Sequence, residues 1–149
     1  VLDLSMPGRS GLELLRRRAQ RQPAVRVLVF TKHHGPAKVE QFQRAGMDRL
    51  REKSVAMTAF LEQRIRARVG QVLDIRTPPD PGQRGCQLSL RVRGPRDEGR
   101  ALFESLDRAG IVADWREPDV IRVAPVPLYN RLADCARFVD AVAAWAASR

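Results

Sequence analysis

Tyrosine occurs once in these 149 residues, histidine and cysteine twice each, and lysine only at Lys32, Lys38 and Lys53. Two cysteines, Cys86 and Cys135, are too few for a disulfide framework or a cysteine-based zinc site. They read as free, buried thiols of a reducing, cytoplasmic compartment. No apolar run approaches the ~18 residues a membrane-spanning helix needs, so no such span is expected, and no secretory leader is recognisable at the start. The adjacent His33 and His34 diverge on a loop and lack a third ligand, so no metal site is expected. Aromatic residues make up 5% of the chain and none interleaves with Arg16, Arg17 and Arg18, which leaves no stacking platform for single-stranded nucleic acid.

Arginine is what the chain has in excess. It supplies 24 of the 27 basic residues, against 17 acidic ones, for a net charge of +10. With alanine, valine, leucine and proline also abundant, the bias fits a GC-rich coding sequence, and a nucleic-acid partner is not implied. The apolar fraction, 44%, belongs to a globular chain rather than a disordered one. The length suits one ordinary domain or two small ones.

Two characters follow one another along the chain. Val1 to Leu4 reads as a short buried strand that delivers Asp3 near its end, before a Pro7-Gly8 turn and a helix to about Gln20. Val25 to Thr31 is a continuous apolar strand of the parallel, buried kind, and Pro36 starts a second helix. Beyond about Val39, Met47, Leu50, Ser54, Met57, Leu61 and Ile65 recur at helical spacing with Phe60 and Val69 beside them, predicting a long amphipathic helix stopped by Gly70. Strands are expected at Val72–Arg76 and Cys86–Arg93, separated by a Pro/Gly-rich loop. A helix over 97–109, carrying Ala101, Leu102, Leu106 and Ala109, ends at Gly110. Ile111–Trp115 and Val120–Val123 then pair as strands across residues 116–119. The last helix, about 129–147, carries Leu132, Cys135, Val139, Val142 and Ala146, with Asn130 as its cap.

The segment Asp3-Leu-Ser-Met-Pro-Gly-Arg-Ser-Gly-Leu-Glu-Leu-Leu15 resembles the phospho-acceptor region of response-regulator receiver domains. By that resemblance Asp3 is the phospho-acceptor and Thr31 the switch residue. The likeness starts at what would be the family's third strand, so its pair of metal-binding acids has no counterpart, and Asp3 alone has little means of holding Mg²⁺. Such a receiver is expected not to phosphorylate. The spacing from Ala45 to Lys53 imitates the family's lysine motif. However, Asp48-Arg-Leu-Arg-Glu52 is a helical surface pattern and not the apolar strand a receiver needs there, so Lys53 belongs to the second half.

The stretch from Arg44 onward resembles the C-terminal small domain of kynureninases. The likeness is strongest at Arg84-Gly-Cys-Gln-Leu-Ser-Leu90, Ile111-Val-Ala-Asp-Trp-Arg-Glu-Pro-Asp119 and Ile121-Arg-Val-Ala-Pro-Val-Pro-Leu-Tyr-Asn130. It implies a fold class running from α/β to α+β: the small domain of a fold-type I pyridoxal-phosphate enzyme, over 44–149, preceded by a partial parallel βαβα segment, over 1–43. It also implies ancestry in a hydrolase that converts kynurenine to anthranilate and alanine in tryptophan catabolism, and a homodimeric parent.

By the same resemblance Arg122 grips the substrate's α-carboxylate, a task for which a planar, bidentate guanidinium is suited and lysine is not. The alternation along the strand agrees: Ile121 and Val123 point one way and Arg122 the other. The family's cofactor lysine, the acid at the pyridine nitrogen and the phosphate loop belong to its large domain, and none of the three lysines here has that setting. No catalytic or cofactor-binding residue is therefore assigned, and the chain is expected to be inactive by itself. Asp97, Glu98, Asp114, Glu117 and Asp119 read as solvated or capping carboxylates. The alternative function is a receiver-type signalling module built on Asp3.

Overall fold

Over the described residues, 46–149, the computed structural model runs α1 (Met47–Val69), β1 (Leu73–Ile75), a short 3₁₀ turn (Pro81–Gln83), β2 (Leu88–Val92), α2 (Arg96–Arg108), β3 (Asp114–Arg116), β4 (Val120–Val123) and α3 (Leu132–Ala147). The expected βαβα segment, with Asp3, Thr31, Arg16 to Arg18, His33 and His34, lies outside the described residues. The strands form one antiparallel sheet in the order β1-β2-β4-β3.

Period-two alternation divides this sheet into two unlike faces. Leu73, Leu88, Leu90, Val92, Ile121 and Val123 are all buried and share a single core with the helices. To that core α1 contributes Met57, Leu61, Ile65 and Val69, α2 contributes Leu102 and Leu106, and α3 contributes Cys135, Phe138, Val139 and Val142. The intervening residues Asp74, Ser89, Arg91, Asp114, Arg116 and Arg122 make the opposite face polar. The buried Thr58 hydroxyl is satisfied within its own helix: it lies 2.9 Å from the Ser54 carbonyl, to which it donates.

Helix ends depart from the periodicity for identifiable reasons. Met47 is 64% exposed and Leu132 48% exposed, because each opens its helix and lies ahead of the first residue that reaches the core, Leu50 or Cys135. Ala101 and Ala109 are exposed as well; the stripe of α2 is Gly99, Leu102 and Leu106. α2 closes with Gly110 at φ 73°, its N–H on the Asp107 carbonyl (2.9 Å) and the Ile111 N–H on the Leu106 carbonyl (2.8 Å). Such a left-handed closure favours glycine. Gly70, in contrast, stays right-handed at φ −64°. A side chain there would lie 2.6 Å from the Arg66 carbonyl oxygen, so glycine is required by a close approach and not by handedness. Because Ile111 returns its N–H to α2, it and Ala113 enter the core as extended coil, and β3 starts only at Asp114.

The Pro/Gly-rich loop is tied to α1 by a nearly buried ion pair, Arg84 Nη1 to Glu62 Oε2 at 2.6 Å, while Arg51 Nη1 donates to the Arg84 carbonyl at 3.1 Å. Partial burial raises the Glu62 pKa, but hydrogen bonds from Arg66 and Arg84 outweigh it and hold the carboxyl below its ordinary value.

Leu88→Ala should cost about 2–5 kcal/mol in urea unfolding, because a fully buried side chain is removed. Leu132→Ala should stay within about 0.5 kcal/mol. Since the folded pKa of Glu62 is depressed, its stabilisation is complete above the ordinary glutamate value of 4.5 and fades as pH falls through the folded value. Glu62→Gln should therefore lower stability at pH 7 and flatten the acid limb of a melting-temperature-against-pH curve.

Candidate functional site

β4 is a central strand, hydrogen-bonded to β2 on one side and β3 on the other. Arg122 occupies its polar face, opposite Ser89 on β2 and Asp114 on β3. The alternation predicted from sequence is therefore realised: Ile121 and Val123 are 1% exposed, and Arg122 points away from the core with a quarter of its side chain accessible.

Asp114 is the finding at this site. Its side chain is only 9% exposed, which corrects the reading of this residue as a solvated carboxylate. Arg122 Nε donates to Asp114 Oδ2 at 2.6 Å, and Arg122 Nη2 donates to the same oxygen. Arg116 Nε reaches it at 2.8 Å. The pairing follows from the hairpin, because strands symmetric about residue 118 place Asp114 across from Arg122, on the same face. Sequence reasoning had both strands and their turn but did not carry the register through to this contact.

The other carboxylates behave as surface groups with partners. Asp119 pairs with Arg91 Nε at 2.7 Å. Glu117 accepts from Trp115 Nε1 at 3.1 Å and pairs with Arg96; the hydrogen bond from Trp115 and the charge of Arg96 hold its pKa down.

The segment after β4 is also held firmly. The Val126 carbonyl accepts from the Tyr129 and Asn130 N–H groups, and Asn130 Oδ1 accepts from the Val126 N–H at 2.9 Å. Asn130 is 3% exposed. Its expected role as cap of the last helix is corrected: the residue flanking α3 is Arg131, whose N–H donates to Asp134 Oδ2 at 2.8 Å. Asn130 closes the turn instead. Lys53 Nζ, from α1, donates to the Pro127 carbonyl at 2.6 Å. That contact puts Lys53 on a helix of the folded unit, as the sequence pattern required, with its amine engaged by a backbone carbonyl.

The profile of the kynureninase C-terminal domain family matches residues 50–142. The chain belongs to that family. A response-regulator receiver profile also matches, over residues 1–66. Where the two overlap, 50–66, the structure is continuous helix whose Leu50, Met57, Leu61 and Ile65 are buried. Among curated relatives, kynureninase from Xanthomonas axonopodis pv. citri is 62% identical over 112 residues, covering 75% of this chain and 26% of that protein. Kynureninase from Stenotrophomonas maltophilia is 59% identical over 110 residues, covering 74% and 26%. The chain thus spans about a quarter of the length of the relatives it matches.

Solved structures agree on fold. Ornithine aminotransferase from Toxoplasma gondii, in a structure with partial occupancy of PLP at its active site, superposes with a TM-score of 0.59 at 16% identity, over 74% of this chain and 26% of that one. Acetylornithine aminotransferase from Elizabethkingia anophelis gives 0.56 at 14%, over 78% and 31%. The expected fold class, the small domain of a fold-type I pyridoxal-phosphate enzyme, is borne out.

The residues described do not fit the cofactor's demands. Lys53, the only lysine among them, has its amine engaged by the Pro127 carbonyl. No group of three or more potential metal ligands occurs among the described residues, and no helix among them is long and apolar enough to cross a membrane. Cys135, buried in the core, has its thiol pushed up to about 11 by burial and by the Asp134 charge, and has no part in the site.

Asn130→Ala should leave the part-buried Val126 N–H without its side-chain acceptor and cost about 1 kcal/mol. Chemical denaturation checks the loss, and hydrogen exchange should accelerate at Val126 before it does in β4.

Proposed function

We propose that residues 44–149 are the C-terminal part of a kynureninase-type hydrolase, which cleaves the side chain of a kynurenine-type amino acid to anthranilate and alanine, and that Arg122 binds the substrate's α-carboxylate. The observation that carries this is the placement of Arg122: it stands on the polar face of a central strand, inside the segment Ile121–Asn130 that joins this chain to the family. We place the seam with the receiver-like segment near residue 43, the compartment in the cytoplasm, and dimerisation with the parent family.

In such a reaction the carboxylate does not itself react. Its use is to orient the amino acid, and a bidentate guanidinium fixes both position and plane. The core side of β4 makes this orientation reproducible, because Ile121 and Val123 cannot rotate out without opening the core. Cofactor chemistry has no support among the described residues, so no step is assigned to them beyond carboxylate recognition. The alternative, phosphorylation at Asp3 with Thr31 as switch, is not favoured.

The test is a hybrid enzyme in which residues 44–149 replace the corresponding region of the Xanthomonas kynureninase. It should hydrolyse L-kynurenine. Arg122→Lys in that hybrid should lose one of two charge-assisted hydrogen bonds, worth about 2 kcal/mol, and raise KM about thirtyfold. An unchanged KM in a folded hybrid would exclude Arg122 from carboxylate binding. The 149-residue chain by itself, mixed with pyridoxal phosphate, should show no visible absorbance band from lysine-bound cofactor.

A further inference from the structure

We infer that Asp114 is the positioning residue of Arg122: a buried carboxylate that fixes the guanidinium before the substrate arrives. The inference rests on the reading of Arg122 as the carboxylate-binding group and adds a second residue to that site.

Three observations carry it. First, Asp114 and Arg122 are directly opposed in the β3–β4 register, so the backbone ladder, and not a flexible surface contact, brings them together. Second, the Asp114 side chain is 9% exposed, whereas Asp119, paired with Arg91 of β2, and Asp74, paired with Arg93 just beyond β2, are 19% and 33% exposed. Third, two donors of one guanidinium share a single acceptor oxygen. Arg122 Nε and Nη2 both converge on Asp114 Oδ2, so the side edge of the guanidinium is taken by Asp114.

The physical consequence has an unusual sign. An arginine side chain carries substantial rotamer freedom, and holding it in advance removes that cost from ligand binding. Yet Asp114 is an anion beside the proposed site of another anion, and Coulomb repulsion by itself would weaken carboxylate binding. Asp114→Asn, nearly isosteric, removes the negative charge and the hold together. If positioning dominates, carboxylate affinity falls although the site becomes more positive. If Asp114 is a bystander, affinity rises. A merely structural role lowers the melting temperature but predicts neither the fall in affinity nor a change confined to one arginine. Arg116, which shares the same oxygen but is exposed, serves as the control: Arg116→Gln should leave Arg122 held.

The experiment follows the Arg122 side-chain Nε–H signal by NMR in the ¹⁵N-labelled 149-residue chain. Its exchange with water should be slow in wild type and in Arg116→Gln, and about tenfold or more faster in Asp114→Asn. L-kynurenine titrated into the same samples should perturb that signal with about tenfold weaker affinity in Asp114→Asn than in wild type. Exchange in Asp114→Asn as slow as in wild type, or tighter kynurenine binding in that variant, would overturn the inference. Should Asp114→Asn lose its dispersed spectrum, wild type decides: protected Nε–H at Arg122 upholds the hold, and exchange as fast as that of the exposed arginines ends it. If protection depends on Asp114 but Arg122→Lys leaves KM unchanged in the folded hybrid, the hold stands and the carboxylate reading of Arg122 fails.

Discussion

The pleat of β4 is the constraint on which the rest of this structure depends. With a period of two, Val120–Val123 cannot bury Ile121 and Val123 without presenting Arg122 to the opposite face. A slip of one residue would put a guanidinium into the apolar core and two β-branched side chains on the polar face. The helices exploit the same division: α1, α2 and α3 all send their apolar stripes to the Ile121 side. The polar face is thereby fixed in register from behind. The placement of Arg122 is a consequence of how the core is packed, since the strand that carries the arginine is anchored by two side chains that are almost completely inaccessible.

Charge in this domain is organised by pairs. Arg84–Glu62, Arg91–Asp119, Arg93–Asp74 and Arg122–Asp114 each join an arginine to a carboxylate on a neighbouring element. Arg91–Asp119 and Arg93–Asp74 have exposed arginines, and each such pair is worth little in stability. The two with nearly inaccessible members differ in kind. Arg84–Glu62 ties a long loop to α1, whereas Arg122–Asp114 joins two neighbouring strands across the polar face of the sheet. The excess of arginine also has the same size in both segments. Residues 1–43 carry 8 basic and 3 acidic residues, and residues 44–149 carry 19 and 14, so each segment is +5. Equal excess in segments that match unrelated families fits a compositional bias better than one basic surface.

Much of this was legible from residues alone, and the limits have physical causes. β4 was read to the residue because alternation over Val120–Val123 is unambiguous and the hairpin turn bounds it. The stripe of α1 was legible because the 23 residues of this helix, about six turns, average out local exceptions. Helix termini were not: Met47 and Leu132 satisfy the periodicity yet stand outside the core, since spacing reports which face a residue shares and not whether that turn of helix is covered. Asn130 and Asp114 were misread for a related reason. Both are short polar residues whose roles, closing a turn and bonding across a hairpin, depend on backbone geometry several residues away.

The overlap of two family profiles on residues 50–66 shows what sequence similarity measures in a helix. An amphipathic helix satisfies any family that wants an apolar stripe at that point, so a match there is weak evidence of shared packing. Packing itself is more selective. The stripe of α1 meets α3, a helix that lies 63 residues beyond its end and wholly within the kynureninase-like stretch. Lys53, which a receiver would place at the end of a strand, is on a helix and bonded to the Pro127 carbonyl of the Ile121–Asn130 segment. Both contacts tie α1 to residues that no receiver sequence supplies. The helix therefore packs with the kynureninase-like stretch, whichever ancestry its own residues resemble.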